Sequence, residues 1–348
     1  MLRTLLLPLW LIQIFSPAKS FRDNPVLGNR LLNRLGLHVA RYVLRHVITR
    51  LRWIMLAPLV PAGIRQEFRR RGVVEIADFL PAERFAALKR ELESCQGEVR
   101  QMRQGDTLTQ TILLDAAVLP ALPQCRALVE DRGTQRLLMY VGARLKRPLF
   151  FIHRVRNGAV DGGADPQKDF YSDTFHSTMK AWLFMGDVDD NIGPFSYIEG
   201  SHRLTWARLK WEYRQSVLGR NLGDSYGARG SLRLTQADRI AIGLPEPTRF
   251  TVRANTLVIA DTHGFHARGA ARREADRLAI YASSRSNPFN PLPGLLPDLT
   301  GRLEAMALRM MWARGDKRAA RQGGLASWHK VPSSAFHDGQ LAAHQEQT

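Results

Sequence analysis

Tyr171 and Asp173 stand two apart in the stretch FYSDTFHSTMKAWLFMGDVDDNIGPFSYIEGSH, which runs from Phe170 to His202. On an extended segment that spacing sends both side chains to one face, where a phenol and a carboxylate converge on one point. Two oxygen-bearing groups so aimed read as a possible metal-ligand pair. A second signal lies downstream: the run Thr251 to Asp261 contains a turn at Asn255-Thr256 and a buried strand over Leu257 to Ala260. It ends in Asp261-Thr262-His263-Gly264-Phe265-His266, and after a charged loop Arg277 opens the apolar run to Tyr281.

The elements that must position these residues are legible around them. From Lys180 the chain alternates, with Ala181, Leu183 and Met185 on one face and Lys180, Trp182 and Phe184 on the other, as in a strand lining a barrel. Asp189 to Pro194 supplies the residues that break a strand and reverse the chain. A short strand follows over Phe195 to Ile198, then a polar loop, Glu199-Gly200-Ser201-His202. Leu149 to Val155 reads as another strand; its His153, in an apolar setting, reads as a satisfied core residue.

The ordered set Asp173, Lys180-Ala181-Trp182, Asp187-Val188, Asn191-x-Gly193-Pro194 and Gly200-Ser201-His202 resembles the phytanoyl-CoA dioxygenase family of iron(II) and 2-oxoglutarate dependent oxygenases. The resemblance runs from about Gln66 to Phe289. It implies a double-stranded β-helix of the jelly-roll or cupin-like kind that holds iron(II) with His-x-Asp and a distant second His. Asp173 matches the carboxylate, and Tyr171 stands where the first His would be. His266 fits the second His, eleven residues before Arg277; His263 is the rival, three residues earlier. A neutral imidazole offers iron(II) one nitrogen, and a guanidinium at Arg277 can clamp the far carboxylate of 2-oxoglutarate by two parallel hydrogen bonds. Trp182 matches an aromatic near the cosubstrate, and is also what a barrel core would hold. His176 is a further possible ligand, should a bulge redirect it.

At 348 residues the chain can bury one large β domain with helical decoration. Cys95 and Cys125 allow at most one disulfide and exclude a cysteine-based metal site. The net charge of +18 is concentrated at the start: thirteen Lys and Arg precede residue 72 against Asp23 and Glu67, leaving +11 there. A basic end points to an anionic surface, and because stacking aromatics are sparse beside it, a membrane is expected rather than nucleic acid. Leu5 to Phe15 is apolar but too short to span a bilayer. It reads as a surface anchor on the inner face of the cytoplasmic membrane, with a signal peptide cleaved after Ala18-Lys19-Ser20 and export as the alternative. Over Asn29 to Met55 the spacing of Arg30, Arg34, Arg41, Arg45 and Arg52 predicts a helix with the arginines on one face toward headgroups, or a basic solvated face.

The expected class is therefore α+β with a mainly β core: a membrane-associating segment over residues 1–60, a double-stranded β-helix over 66–289, and a helix with a fraying polar tail over 290–348. The basic, aromatic insert Leu204 to Gly243, with Trp206, Trp211 and Tyr213, is either the substrate mouth or an ordinary packed helix. Three functions stay open. They are an oxygenase hydroxylating a lipid-like or other hydrophobic substrate at a membrane surface, a degenerate member that binds or regulates without turnover, and a membrane adaptor on which the barrel is a scaffold.

Overall fold

The computed structural model describes residues 6–160, 162–163, 165–272 and 274–337. Alternating apolar residues build a sheet of eight strands, in the order β1 (Val73–Ile76), β8 (Leu257–Asp261), β5 (Met179–Phe184), β10 (Ala275–Ser284), β4 (Leu149–Asn157), β3 (Thr107–Leu113), β2 (Val99–Gln104) and β11 (His329–Val331). A second sheet holds β7 (Thr248–Arg249), β6 (Phe195–Tyr197) and β9 (His266–Arg268), and the ladders of both sheets are antiparallel. The architecture is a double-stranded β-helix with flanking helices.

The period of two divides the large sheet's side chains between two cores. Met179, Ala181 and Leu183 of β5, with Ile280 and Ala282 of β10, face the helical layer. That layer holds α3 (Leu37–Leu56), α4 (Ala62–Arg71), α5 (Ala82–Glu93), α6 (Pro123–Glu130) and α7 (Arg132–Val141), preceded in the chain by α1 (Leu7–Ile12) and α2 (Arg30–Arg34). Trp182 and Phe184 point the other way, into a core shared with Phe195, Tyr197 and Phe250 of the smaller sheet's side. The turn between β5 and β6 depends on Gly193, whose φ is +77°. A Cβ there would lie 2.5 Å from the Gly269 carbonyl oxygen, so only glycine fits.

Several expectations at the flanks are corrected. The stretch over Asn29 to Met55 is two helices, broken at Gly36 with φ +95°. On α3 the arginine face is the buried face: Arg41, Arg45 and Arg52 point into the protein, not toward headgroups or water, while Arg30 and Arg34 on α2 are exposed. Leu56 and Val60, at the end of the stretch over residues 1–60, join the main core. The carboxy-terminal flank also packs on the sheet. The long helix expected at its centre, α10 as labelled here (Pro297–Arg321, following α8, Trp206–Leu218, and α9, Gln236–Ile242), packs Trp312 on Leu113 and Phe151. β11 then adds to the sheet's edge. The tail expected to fray from Ser333 begins as a helical turn, Ser334–His337, with Ala335 and Phe336 buried; the rest of it lies outside the described residues.

Candidate functional site

Three backbone bonds bring the two halves of the site together. Tyr171 and His266 exchange N–H···O bonds of 3.0 Å each, and Asp173 N donates to the Thr262 carbonyl at 3.0 Å. The segment with the carboxylate is thereby laid against the one with the imidazole. Asp261, at the end of β8, fixes the loop between them: its carboxylate accepts from Ser177 Oγ at 2.8 Å, Thr178 N at 3.2 Å and His263 N at 3.1 Å.

The result places Asp173 Oδ1 3.8 Å from His266 Nε2, a gap one ion can bridge with bonds of about 2.0–2.2 Å. His266 Nδ1 lies 3.0 Å from the Gly264 carbonyl, which assigns the proton to Nδ1 and leaves the Nε2 lone pair free. Nε2 is buried without a hydrogen-bond partner. Burial also pushes the imidazole down to about 4, outweighing the opposite pull of Asp173, so the ring is neutral near pH 7. The Asp173 carboxyl is held well below the usual carboxylate range: burial would raise it, but Lys180, His266 and Arg285 together win.

The donor chemistry of this pair fits two of the three protein positions of a facial triad. Among the described residues, no three His, Cys, Asp or Glu side chains converge closely enough to hold a metal. The Tyr171 hydroxyl is not turned toward this pair. It turns to Gln167 Oε1 at 3.3 Å, and the ring lies between the His266 imidazole, at 4.4 Å between centroids, and the Arg233 guanidinium, 4.6 Å above it. Burial, then the charge of Asp173, push the phenol far above its ordinary value, so it keeps its proton.

The Asp173 carboxylate is already paired with a cation of the chain. Lys180 Nζ lies 2.7 Å from Asp173 Oδ2 and 3.0 Å from Oδ1. The atom is geometrically engaged even though Oδ2 lacks a well-angled hydrogen bond, and at 2.7 Å the Coulombic contact decides its state. Lys19, from the amino-terminal segment, donates to the Asp173 carbonyl.

Tyr171, His266 and Lys180 wall a cavity of about 490 Å³ between the sheets. Arg277 reaches it from β10, next to β5, and its Nη1 donates to the Gly193 carbonyl at 2.6 Å. No carboxylate among the described residues lies within ion-pair distance of this guanidinium, and burial, then Arg268, pull it down to about 9. Arg268 is committed to Asp165 at 2.8 Å, whereas Arg277 and Arg285, which also line the cavity, have no carboxylate within ion-pair distance among the described residues. Trp182 lines the same wall, 4.6 Å from the Phe195 ring and 5.8 Å from that of Tyr281. Met102, Phe151, Leu308, Trp312 and Trp328 give the cavity an apolar part, beside Thr109, Thr111 and Glu304.

His263 and His176 lie away from the cavity. His263 is wholly buried, its Nδ1 2.9 Å from the Thr174 carbonyl and its Nε2 2.8 Å from Tyr42 Oη, with Arg45 also on Nε2. It anchors α3 to the end of β8 and does not line the cavity. His176 packs edge-on against Phe175, with Nδ1 3.1 Å from the Ser177 carbonyl. His153, expected in the core, lines the cavity, 5.0 Å from the Tyr281 ring. None of the insert Leu204 to Gly243 lines it: Trp211 is buried edge-on against Phe265 at 5.3 Å, so that insert is a packed helix here and not the mouth. Lys180 was missed as a site residue although the strand alternation put it on the cavity face with Trp182. Trp312 and Trp328 carried no such signal, since their contacts are made only by the returning carboxy-terminal chain.

No family model matches this chain, and no curated protein sequence matches it. Several solved structures align with part of the chain. The non-heme alpha ketoglutarate dependent epimerase SnoN from nogalamycin biosynthesis aligns with 64% of this chain and 83% of its own, at 21% identity and a TM-score of 0.42. HygX from Streptomyces hygroscopicus, with nickel and 2-oxoglutarate bound, aligns with 64% of this chain and 86% of its own, at 17% identity and a TM-score of 0.38. AviO1 from Streptomyces viridochromogenes Tue57 covers 65% and 94%, at 14% identity and a TM-score of 0.39. What those names state of nickel and 2-oxoglutarate belongs to those proteins.

Proposed function

We propose that this protein binds iron(II) and 2-oxoglutarate in the cavity between its sheets and uses them to oxygenate a hydrophobic, lipid-like substrate. The observation that carries the reading is the buried, unpartnered Nε2 of His266, 3.8 Å from the ionised Asp173 carboxylate, on the wall of a cavity that also holds Arg277. Asp173 and His266 would hold the metal. Arg277 would take the far carboxylate of the oxoacid through its planar fork, which a buried guanidinium without an acidic partner is built to do. When bound, metal and oxoacid supply the oxidant for a C–H bond: oxygen gives one atom to the substrate and one to succinate, with loss of carbon dioxide.

The chain's own residues do the rest. The gap between Asp173 and His266 is preset by the Tyr171–His266 backbone bridge. Asp173 would offer a metal the Oδ1 that faces His266, and Lys180, 2.7 Å from Oδ2, would compete for the same carboxylate charge. The apolar part of the cavity, with Phe151, Trp312 and Trp328, excludes water and suits an apolar substrate.

A second reading, a binding module without turnover, is favoured by the Lys180–Asp173 ion pair and by the Tyr171 hydroxyl turned to Gln167. The two separate in one experiment: anaerobic calorimetric titration of the purified chain with iron(II) and with 2-oxoglutarate, then measurement of succinate when oxygen is admitted. Saturable binding of both with succinate release is expected. Binding of 2-oxoglutarate with no succinate would make the protein a binding module, and binding of neither would overturn both readings.

A further inference from the structure

Helix α3 is built inside out. Its buried residues are His38, Arg41, Tyr42, Arg45, Thr49, Arg52 and Leu56, whereas Leu44, Val47, Leu51, Ile54 and Met55 form the opposite face and are 42–60% exposed. The polar interior is specific. Arg41 Nε and Nη2 donate to the carbonyls of Ile14, Ser16 and Ala18 at 2.7, 3.1 and 2.8 Å. Tyr42 and Arg45 meet His263, and Arg52 reaches Ser286 and Pro288. The helix therefore cannot turn over to bury its leucines, and its outward stripe stays exposed among the described residues.

Neighbouring segments extend the same surface. Helix α1 has no buried residue and exposes Leu7, Leu9, Leu11 and Ile12, and α2 exposes Leu31 and Leu35. Helix α8, packed on α2 and α3, leaves Trp206 70% exposed. Between α3 and α8 runs a groove of about 540 Å³ whose apolar walls are Val39, Trp206, Leu209 and Tyr213 and whose charged members are Lys210 and Arg214. Exposed Arg22, Arg30, Arg34 and Arg50 add further positive charge. From Leu6 to Pro61 the one acidic residue is Asp23, and Glu212 on α8 is turned inward onto Arg208 and His38.

We infer that this face docks the protein on an anionic lipid bilayer, with the α1 and α3 stripes entering the outer part of the apolar layer and the cations lying among the headgroups. The inference stands apart from the chemistry of the cavity. Charge selects the occupant: a large apolar face with a basic surround complements acidic headgroups over acyl chains. A symmetric pairing with a second copy would set the same cations against one another. No helix of the described residues is long and apolar enough to cross a membrane, so the mode is docking in the plane of one leaflet. It also reverses the role that spacing gave the arginines of α3, which brace the helix from within while its leucines meet the lipid.

The test is vesicle flotation of the full chain and of the triple variant Leu44→Glu, Val47→Glu, Leu51→Glu. All three positions are exposed, so the fold should persist, and circular dichroism checks it. The wild type is expected to float with vesicles of phosphatidylcholine containing phosphatidylglycerol, to bind phosphatidylcholine alone at least tenfold more weakly, and to lose affinity in molar salt, which screens the headgroup contacts. The triple variant should lose at least tenfold in affinity. Failure of the wild type to bind either vesicle, or equal binding by the folded triple variant, would overturn the inference. So would a concentration-dependent dimer in sedimentation that the variant abolishes while vesicle binding stays absent; the face would then be a contact between two copies.

Discussion

Under the proposed function, Asp173 is the residue for which Lys180 and a metal would compete. With Lys180 Nζ at 2.7 Å, the buried carboxylate is satisfied without a metal, and removing the ammonium leaves a buried charge alone, at a cost of about 3–5 kcal/mol. Lys180→Met should therefore lower the thermal midpoint of the metal-free protein and raise its affinity for iron(II), or for cobalt(II) as a spectroscopic probe, by tenfold or more. Added metal should then restore the midpoint, and differential scanning calorimetry with and without metal reads both effects. Tyr171 gives a sharper pair. Because its hydroxyl faces Gln167 and its ring faces His266, Tyr171→Phe should leave metal affinity unchanged, while Tyr171→His offers a nitrogen near the pair and should raise it. A large loss of metal binding in the Phe variant would mean that the phenol is a ligand after all. For Arg277, both Ala and Lys should weaken 2-oxoglutarate binding by about tenfold or more, since an ammonium cannot reproduce the two parallel bonds of a guanidinium. Unchanged binding in the Ala variant would remove the oxoacid from this wall.

At the scale of elements, α3 is held by polar contacts where most helices use apolar ones, and Arg41 ties down the chain that precedes it. Three carbonyls lose their donor in Arg41→Ala, which should cost about 3 kcal/mol and loosen residues 14–18. Limited proteolysis should then cleave that segment faster than in the wild type. Arg50, exposed on the same helix, is the control: Arg50→Ala should change stability by less than about 0.5 kcal/mol. Equal protease resistance in the two variants would show that the Arg41 contacts do not hold the segment. The smaller sheet offers the complementary case, because β6 and β9 are only three residues each. Their position rests on Phe195 and Tyr197 packing into the core shared with Trp182, so the wall bearing His266 depends on apolar contacts at the opposite sheet.

The molecule as a whole buries several neutral histidines. Burial pushes His153, His176 and His202 each down to about 3, and His266 to about 4. In the unfolded chain the same groups titrate near 6.5. As pH falls below about 6.5 the unfolded state takes up protons that the folded state refuses, so stability drops steadily until the folded values are reached; above about 6.5 these groups contribute no slope. Each unit is worth about 1.4 kcal/mol per histidine, a total large against the roughly 5–15 kcal/mol by which domains are stable. Thermal midpoints by circular dichroism should fall continuously from about pH 6.5 toward pH 4 and be level just above that range. A midpoint flat down to pH 4.5 would show that these imidazoles are hydrated in the native protein.

The sequence by itself determined what depends on local order. The alternation in β5, the turn at Gly193, the buried run of β8 and the shared face of Tyr171 and Asp173 are consequences of a period of two and of backbone sterics, and each is written in adjacent residues. Asp173 and His266 could be named because motif order placed them, and Arg277 because it opens the apolar run to Tyr281. Only the tertiary structure decided what those residues touch. Lys180 reaching Asp173, Tyr171 turning its hydroxyl to Gln167, Trp312 and Trp328 closing the cavity and Trp211 leaving it are contacts between segments whose meeting no local pattern encodes. The arginines of α3 show the reason most plainly. A periodicity of 3.6 shows that a helix has a basic face and an apolar face, but it is the same pattern whichever face is turned inward. What chose the inward face was the set of carbonyls at Ile14, Ser16 and Ala18 and the imidazole of His263 waiting beneath it, and those are brought there by the rest of the fold.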